Sequence, residues 1–137
     1  MIVFDTNVVS ELLRRKPDRL VLSWASGLTG PVGLTSVTAW ELRYGVSRLP
    51  EGRRRTQLVG AVERVLHEAA GGILPFDDNA ARAAARMRVA RERAGRPVAT
   101  ADLQIAGICE SRRAVLATRN VKDFEGLGLE LIDPWAR

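Results

Sequence analysis

With 137 residues, 46% of them hydrophobic, the chain is long enough for one real core and too short for two ordinary ones, so a single domain spanning 1–137 is expected. Its apolar stretches break off well before the ~18 residues that a membrane span needs, and its first residues lack the regions of a signal peptide; the expectation is a cytoplasmic protein with no membrane partner. The net charge of +5 fits a polyanionic partner, and equally an arginine-rich composition whose side chains only solvate helix faces.

Strand-length apolar runs stand at 2–4, 32–34, 73–76, 115–117 and 129–132. Between them, helical periodicity covers 8–15, 20–26, 37–44, 53–70, 80–94 and 101–111. Pro17, Pro31, Pro50, Pro75 and Pro97 all fall outside the helical segments, inside which a residue without an N–H would break the ladder. Strands alternating with helices predict an α/β fold, a central parallel sheet flanked by helices. In such sheets ligands gather outside the carboxyl ends of the strands.

Four acids fall at those ends. The first run delivers Asp5 into a loop that also carries Thr6 and Asn7, with Ser10 a turn further on. Glu41 lies early in the helix after the second run, and Asp102 opens the helix before the fourth. Asp123 follows Thr118 and Asn120, which repeat the first design near the other end of the chain. Carboxylates held together repel one another unless a cation neutralises them, so such a cluster is a reason to infer a metal. Cys109 and His67 are each the sole residue of their type, which excludes a disulfide, a paired-cysteine clamp and a histidine-rich zinc set. Oxygen ligands suit Mg²⁺ or Mn²⁺.

Each acid also has a structural reading. Asp5 is a candidate helix cap, though Asn7 stands closer to the expected helix. Thr38 and Glu41 form the Thr-x-x-Glu pattern of a capping box. Asp102 follows Thr100, itself a good cap, and suits a first helical turn; Asp123 fits an ordinary loop. For Glu41 and Asp102 taken singly, the two readings stand level. Thr6, Asn7, Ser10, Thr118 and Asn120 are suited to orienting the carboxylates from behind.

Arg119, flanked by Thr118 and Asn120, is the foremost candidate for binding the phosphates of a polyanionic partner; Arg82 and Arg86 share a helix face that could track a phosphate backbone. Trp40, beside Glu41 in an apolar helix, is expected in the core, and Trp24 and Trp135 are not assigned to base stacking.

These segments together resemble the PIN-domain family, specifically its VapC-type ribonuclease toxins and their FitB-like branch. The resemblance runs along the whole chain. It is carried by Ile2-Val3-Phe4-Asp5-Thr6-Asn7-Val8-Val9-Ser10-Glu11-Leu12, Ser36-Val37-Thr38-Ala39-Trp40-Glu41-Leu42-Arg43-Tyr44-Gly45, Thr100-Ala101-Asp102-Leu103-Gln104-Ile105-Ala106, Ala117-Thr118-Arg119-Asn120 through Asp123-Phe124, and Asp133-Pro134-Trp135. It implies a PIN-like three-layer fold and Mg²⁺- or Mn²⁺-dependent endonucleolytic cleavage of RNA at Asp5, Glu41, Asp102 and Asp123, with Asp5, Asp102 and Asp123 as metal ligands. It also implies a homodimer and a cognate antitoxin, itself DNA-binding, that blocks the nuclease. Two other readings compete. A phosphotransfer enzyme with an Asp nucleophile would commonly carry a second Asp where Asn7 stands. A binding module would strengthen the antitoxin's grip on operator DNA with its nuclease site idle.

Overall fold

The computed structural model describes residues 1–136. Five strands, β1 (Ile2–Phe4), β2 (Val32–Thr35), β3 (Ile73–Leu74), β4 (Val115–Ala117) and β5 (Leu131–Ile132), form one sheet in the order β3-β2-β1-β4-β5, and every neighbouring pair is parallel. The connections are helical: α1 (Thr6–Leu12), α2 (Arg19–Ser26), α3 (Ser36–Ser47), α4 (Arg53–Glu68), α5 (Asp78–Arg93), α6 (Thr100–Arg112) and the single turn α7 (Val121–Phe124).

The sheet is covered on both faces, because side chains alternate across a strand. Val3 and Leu116 enter a core with Met87, Ile105 and Ile108 of α5 and α6. Phe4 and Ala117, one position on, enter the opposite core with Val8, Val21, Leu42 and Val62 of α1 to α4. Three layers result. Between α5 and α6 the approach is close enough to demand glycine: a Cβ on Gly107 would stand 2.5 Å from the Ala80 carbonyl oxygen.

Side-chain caps set most helix starts and move them ahead of the expected positions. Asp5 accepts from the Thr6 N–H, so α1 begins at Thr6 and Asp5, not Asn7, is its cap. The Thr35 hydroxyl accepts from the Thr38 N–H, which places Glu41 more than a turn into α3 and overturns the capping box. Asp77 caps α5. At α6 the cap position is Ala99, with no side-chain bond, and Thr100 is already helical. Trp40 is a further correction. It is 62% exposed and stacks on Tyr44, itself 56% exposed, because the buried stripe of α3 runs through Val37, Thr38, Ala39 and Leu42 instead. Among the described residues no helix is long and apolar enough to cross a membrane.

Candidate active site

The strand order reverses at β1 and β4: the connection leaving β1 goes to one side, that leaving β4 to the other. A crevice opens at such a switch point. Here it is a cleft of about 460 Å³ whose walls include Asp5, Glu41 and Asp102 with Thr6, Asn7, Ser10, Arg119 and Asn120.

Asp5 sits at the reversal because its backbone continues the β1–β4 ladder, its N–H donating to the Ala117 carbonyl at 2.9 Å. Its side chain is only 4% exposed and is held at both oxygens. Oδ1 accepts from the Thr6 N–H at 2.8 Å. Oδ2 accepts from the Thr118 hydroxyl at 2.7 Å and the Asn7 amide at 3.3 Å. Thr118, fully buried behind the cleft, is fixed in turn by the Asn120 N–H at 3.0 Å. Burial raises the Asp5 pKa, the bonds from Thr118 and Thr6 pull it down, and the neighbouring Glu41 charge pushes it up again; the net direction is upward.

Glu41 reaches the same cleft from the inner face of α3, where its Oε1 accepts from the Thr6 hydroxyl at 2.7 Å. A hydroxyl has one proton and a carboxylate only accepts. With that proton committed to Glu41, the Thr38 hydroxyl, 3.0 Å from Thr6, is the donor in the second contact. Thr6 and Thr38 thus form a relay that orients Glu41.

Asp102 lies in the first turn of α6. Burial, then the charges of Asp5, Asp123 and Glu41, push its pKa up to about 6. Four acids from separate parts of the chain therefore bear on one site. Asp123 acts on Asp102 more strongly than Glu41 does, although it is exposed on α7 and lines an adjoining cleft with Lys122 and Asp133. Arg119 and Asn120 line both clefts. Among the described residues no three of His, Cys, Asp or Glu close around a single point. The arrangement is an open set of oxygen donors, the chemistry a hard cation with several retained waters accepts.

Of the residues assigned to RNA contact, Arg119 lines the cleft. Arg82 and Arg86 do not: on the outer face of α5 they pair with Asp78 and Glu110 at 3.0 Å each. Four side chains at the site escaped the sequence reading. Glu11, 6% exposed, accepts from the Asp18 N–H at 2.9 Å and from Arg14 at 3.2 Å, and Glu11, Arg14 and Trp135 all line the cleft. Thr38 is the fourth. Helical spacing held the signal for three of them, since Glu11 is four residues from Asn7, Arg14 four from Ser10, and Thr38 three from Glu41.

Comparison with known proteins agrees with this geometry. The PIN domain family model matches residues 2–127. Over 137 residues the chain is 39% identical to VapC ribonuclease Y4jK of Sinorhizobium fredii, covering 98% of each. It superposes on the structure of FitAB bound to an IR36 DNA fragment with a TM-score of 0.94 at 34% identity, over 100% of this chain and 97% of that one. A member of the VapBC family of toxin-antitoxin systems, VapBC-5 of Mycobacterium tuberculosis, aligns at 31% identity and a TM-score of 0.73 over 95% of both chains.

Proposed function

The chain belongs to the PIN-domain family, in its VapC-type branch, and from that premise we propose that it is a metal-dependent endoribonuclease and the toxin of a toxin–antitoxin pair. The observation that carries the reading is the convergence of Asp5, Glu41 and Asp102 on one cleft at the sheet reversal. A module serving only to strengthen operator binding would have no use for buried, mutually repelling carboxylates, which cost stability.

Asp5 and Asp102 would hold Mg²⁺ or Mn²⁺, with Asp123 completing the set from α7. Bound there, the ion would supply Lewis-acid activation of the phosphate and of the attacking water. The protein's own part is positional. Thr118 and the Thr6 N–H lock both oxygens of Asp5. Thr6 orients Glu41, leaving its other oxygen free to bind the ion or to align water. Arg119 gives the site one cation for the RNA backbone. The cognate antitoxin would block the cleft with a basic side chain, because a guanidinium bonds two carboxylate oxygens at once. The homodimer is part of the same reading and is checked by sedimentation.

Purified protein incubated with RNA should cleave it in Mg²⁺ or Mn²⁺, stop in EDTA and resume on adding the metal back. Expression alone should arrest growth, and the neighbouring gene should relieve it. Full cleavage after exhaustive chelation would sink the metal reading; intact RNA in every condition would sink the nuclease.

A further inference from the structure

Two arginines, Arg14 and Arg119, line the acidic cleft, and they are held in opposite ways. Arg14 is tied to the Glu11 carboxylate. Arg119 is in none of the ion pairs among the described residues; its guanidinium lies over the Trp135 indole, 5.0 Å from the ring centroid. Both ends of that contact are anchored. The Arg119 backbone N–H donates to Asn7 Oδ1 at 3.2 Å. Trp135 packs against the core under α1 to α4, and its backbone N–H donates to Asp133 Oδ1 at 2.9 Å. An unrestrained guanidinium beside uncompensated carboxylates would fold onto them, because a charge-assisted bidentate pair is the strongest bond open to it. The indole face gives the cation a competing seat that leaves its N–H groups free.

We propose that Trp135 is a positioning residue: it holds Arg119 at the rim of the cleft, away from the acids, as a seat for a backbone phosphate of single-stranded RNA beside the one being cut. The inference rests on the nuclease reading for its ligand, and its test separates the two. Binding of a short fluorescein-labelled single-stranded RNA of mixed sequence is followed by anisotropy in Ca²⁺, across a range of salt, for wild type, R119A, W135A, W135F and the R119A/W135A double variant. Thermal melting of each variant checks that it is folded.

Losing one phosphate contact should lower the slope of log affinity against log salt by about 0.7 in R119A. W135A should weaken binding about two- to fivefold and lower the slope in the same direction, and W135F, which keeps a ring face, should recover most of both. The double variant should bind no more weakly than R119A. A W135A loss that is as large without Arg119 as with it, an unchanged slope, or no wild-type binding overturns the proposal. Cleavage of RNA by wild type in Mg²⁺ is measured alongside. No cleavage with a non-additive cycle would defeat the nuclease reading and keep the seat; cleavage with an additive cycle would do the reverse.

Discussion

The junction of α5 with α6 and the carboxyl edge of the sheet are both buried, but they are filled with opposite materials. Between the two helices lie Ala80, Ala83, Ala84, Met87, Ile105 and Ile108 around Gly107, and close packing there stabilises the protein directly. Even Arg91, the charged exception, is spent on structure: it donates to the carbonyls of Arg96 and Glu125 at 2.8 and 2.6 Å. At the sheet edge the buried side chains are Asp5, Thr35, Thr38 and Thr118. Burying them costs free energy unless every oxygen is bonded. The threonines meet that demand for Asp5 and Glu41, while the repulsion among the acids is left standing. One region makes the protein stable; the other uses some of that stability to hold mutually repelling charges together.

If that division is right, the two regions should fail differently. The largest effect is expected at Asp5: Asp5→Asn keeps the shape and removes the charge, so RNA cleavage should fall to background while urea unfolding shows an intact fold. Cleavage at wild-type rate would end the contrast. Thr118→Val should come next. It removes the donor to Asp5 Oδ2 without changing volume much, and metal affinity measured by calorimetry should drop about 10- to 100-fold.

Gly107→Ala probes the other region. Its methyl would press on the Ala80 carbonyl and on Ala84 Cβ at 2.9 Å, so unfolding free energy should fall by about 1–3 kcal/mol while cleavage per folded molecule stays unchanged. A selective loss of cleavage would show that the regions are not independent.

The smallest effect has a sign of its own. Asp102 titrates near 6 in the folded protein against an ordinary 3.8, so the folded state binds its proton more readily than the unfolded state does. Stability of the metal-free protein should therefore be undiminished by Asp102 below about pH 3.8, fall as pH rises through that window, and stay low above about pH 6. Asp102→Asn should abolish this fall. Solvent screens the half-exposed carboxylate, so the gain near neutral pH should be about 1 kcal/mol, vanishing near pH 4. A destabilised variant at neutral pH would contradict the strained-acid account.

Much of this contrast was legible before any coordinates. β1 and β4 fall on the apolar runs 2–4 and 115–117, because buried parallel strands are short and continuously apolar, and Asp5 is conspicuous where the first run stops. What failed was local. Trp40 looked internal because its neighbours Val37, Ala39 and Leu42 are apolar, yet adjacent positions on a helix point about 100° apart, and which arc faces the sheet is fixed by tertiary packing. The helix expected at 37–44 starts past Ser36, the first residue of α3 that Thr35 caps, so Thr38 looks like a cap when it is a buried partner of Thr6. Arg82 and Arg86 share a face as expected, but Arg82 is held within α5 by Asp78, four residues back, and Arg86 by Glu110, which only the packing of α5 on α6 brings near. The one-turn α7 is too short for periodicity to register.

The reversal of strand order has a consequence for the timing of synthesis. Asp5 is made 113 positions before Thr118, the hydroxyl that fixes it, and well before the β4 strand whose ladder holds its backbone. A growing chain that has not reached β4 has its first strand open along one edge and its leading carboxylate without its buried donor. The helices that pack on β2 can assemble earlier, but the cleft cannot. A ribosome making this chain thus carries no completed cleft until β4 has emerged; on the nuclease reading proposed above, the interval in which an inhibitor is needed opens with β4 rather than with β1.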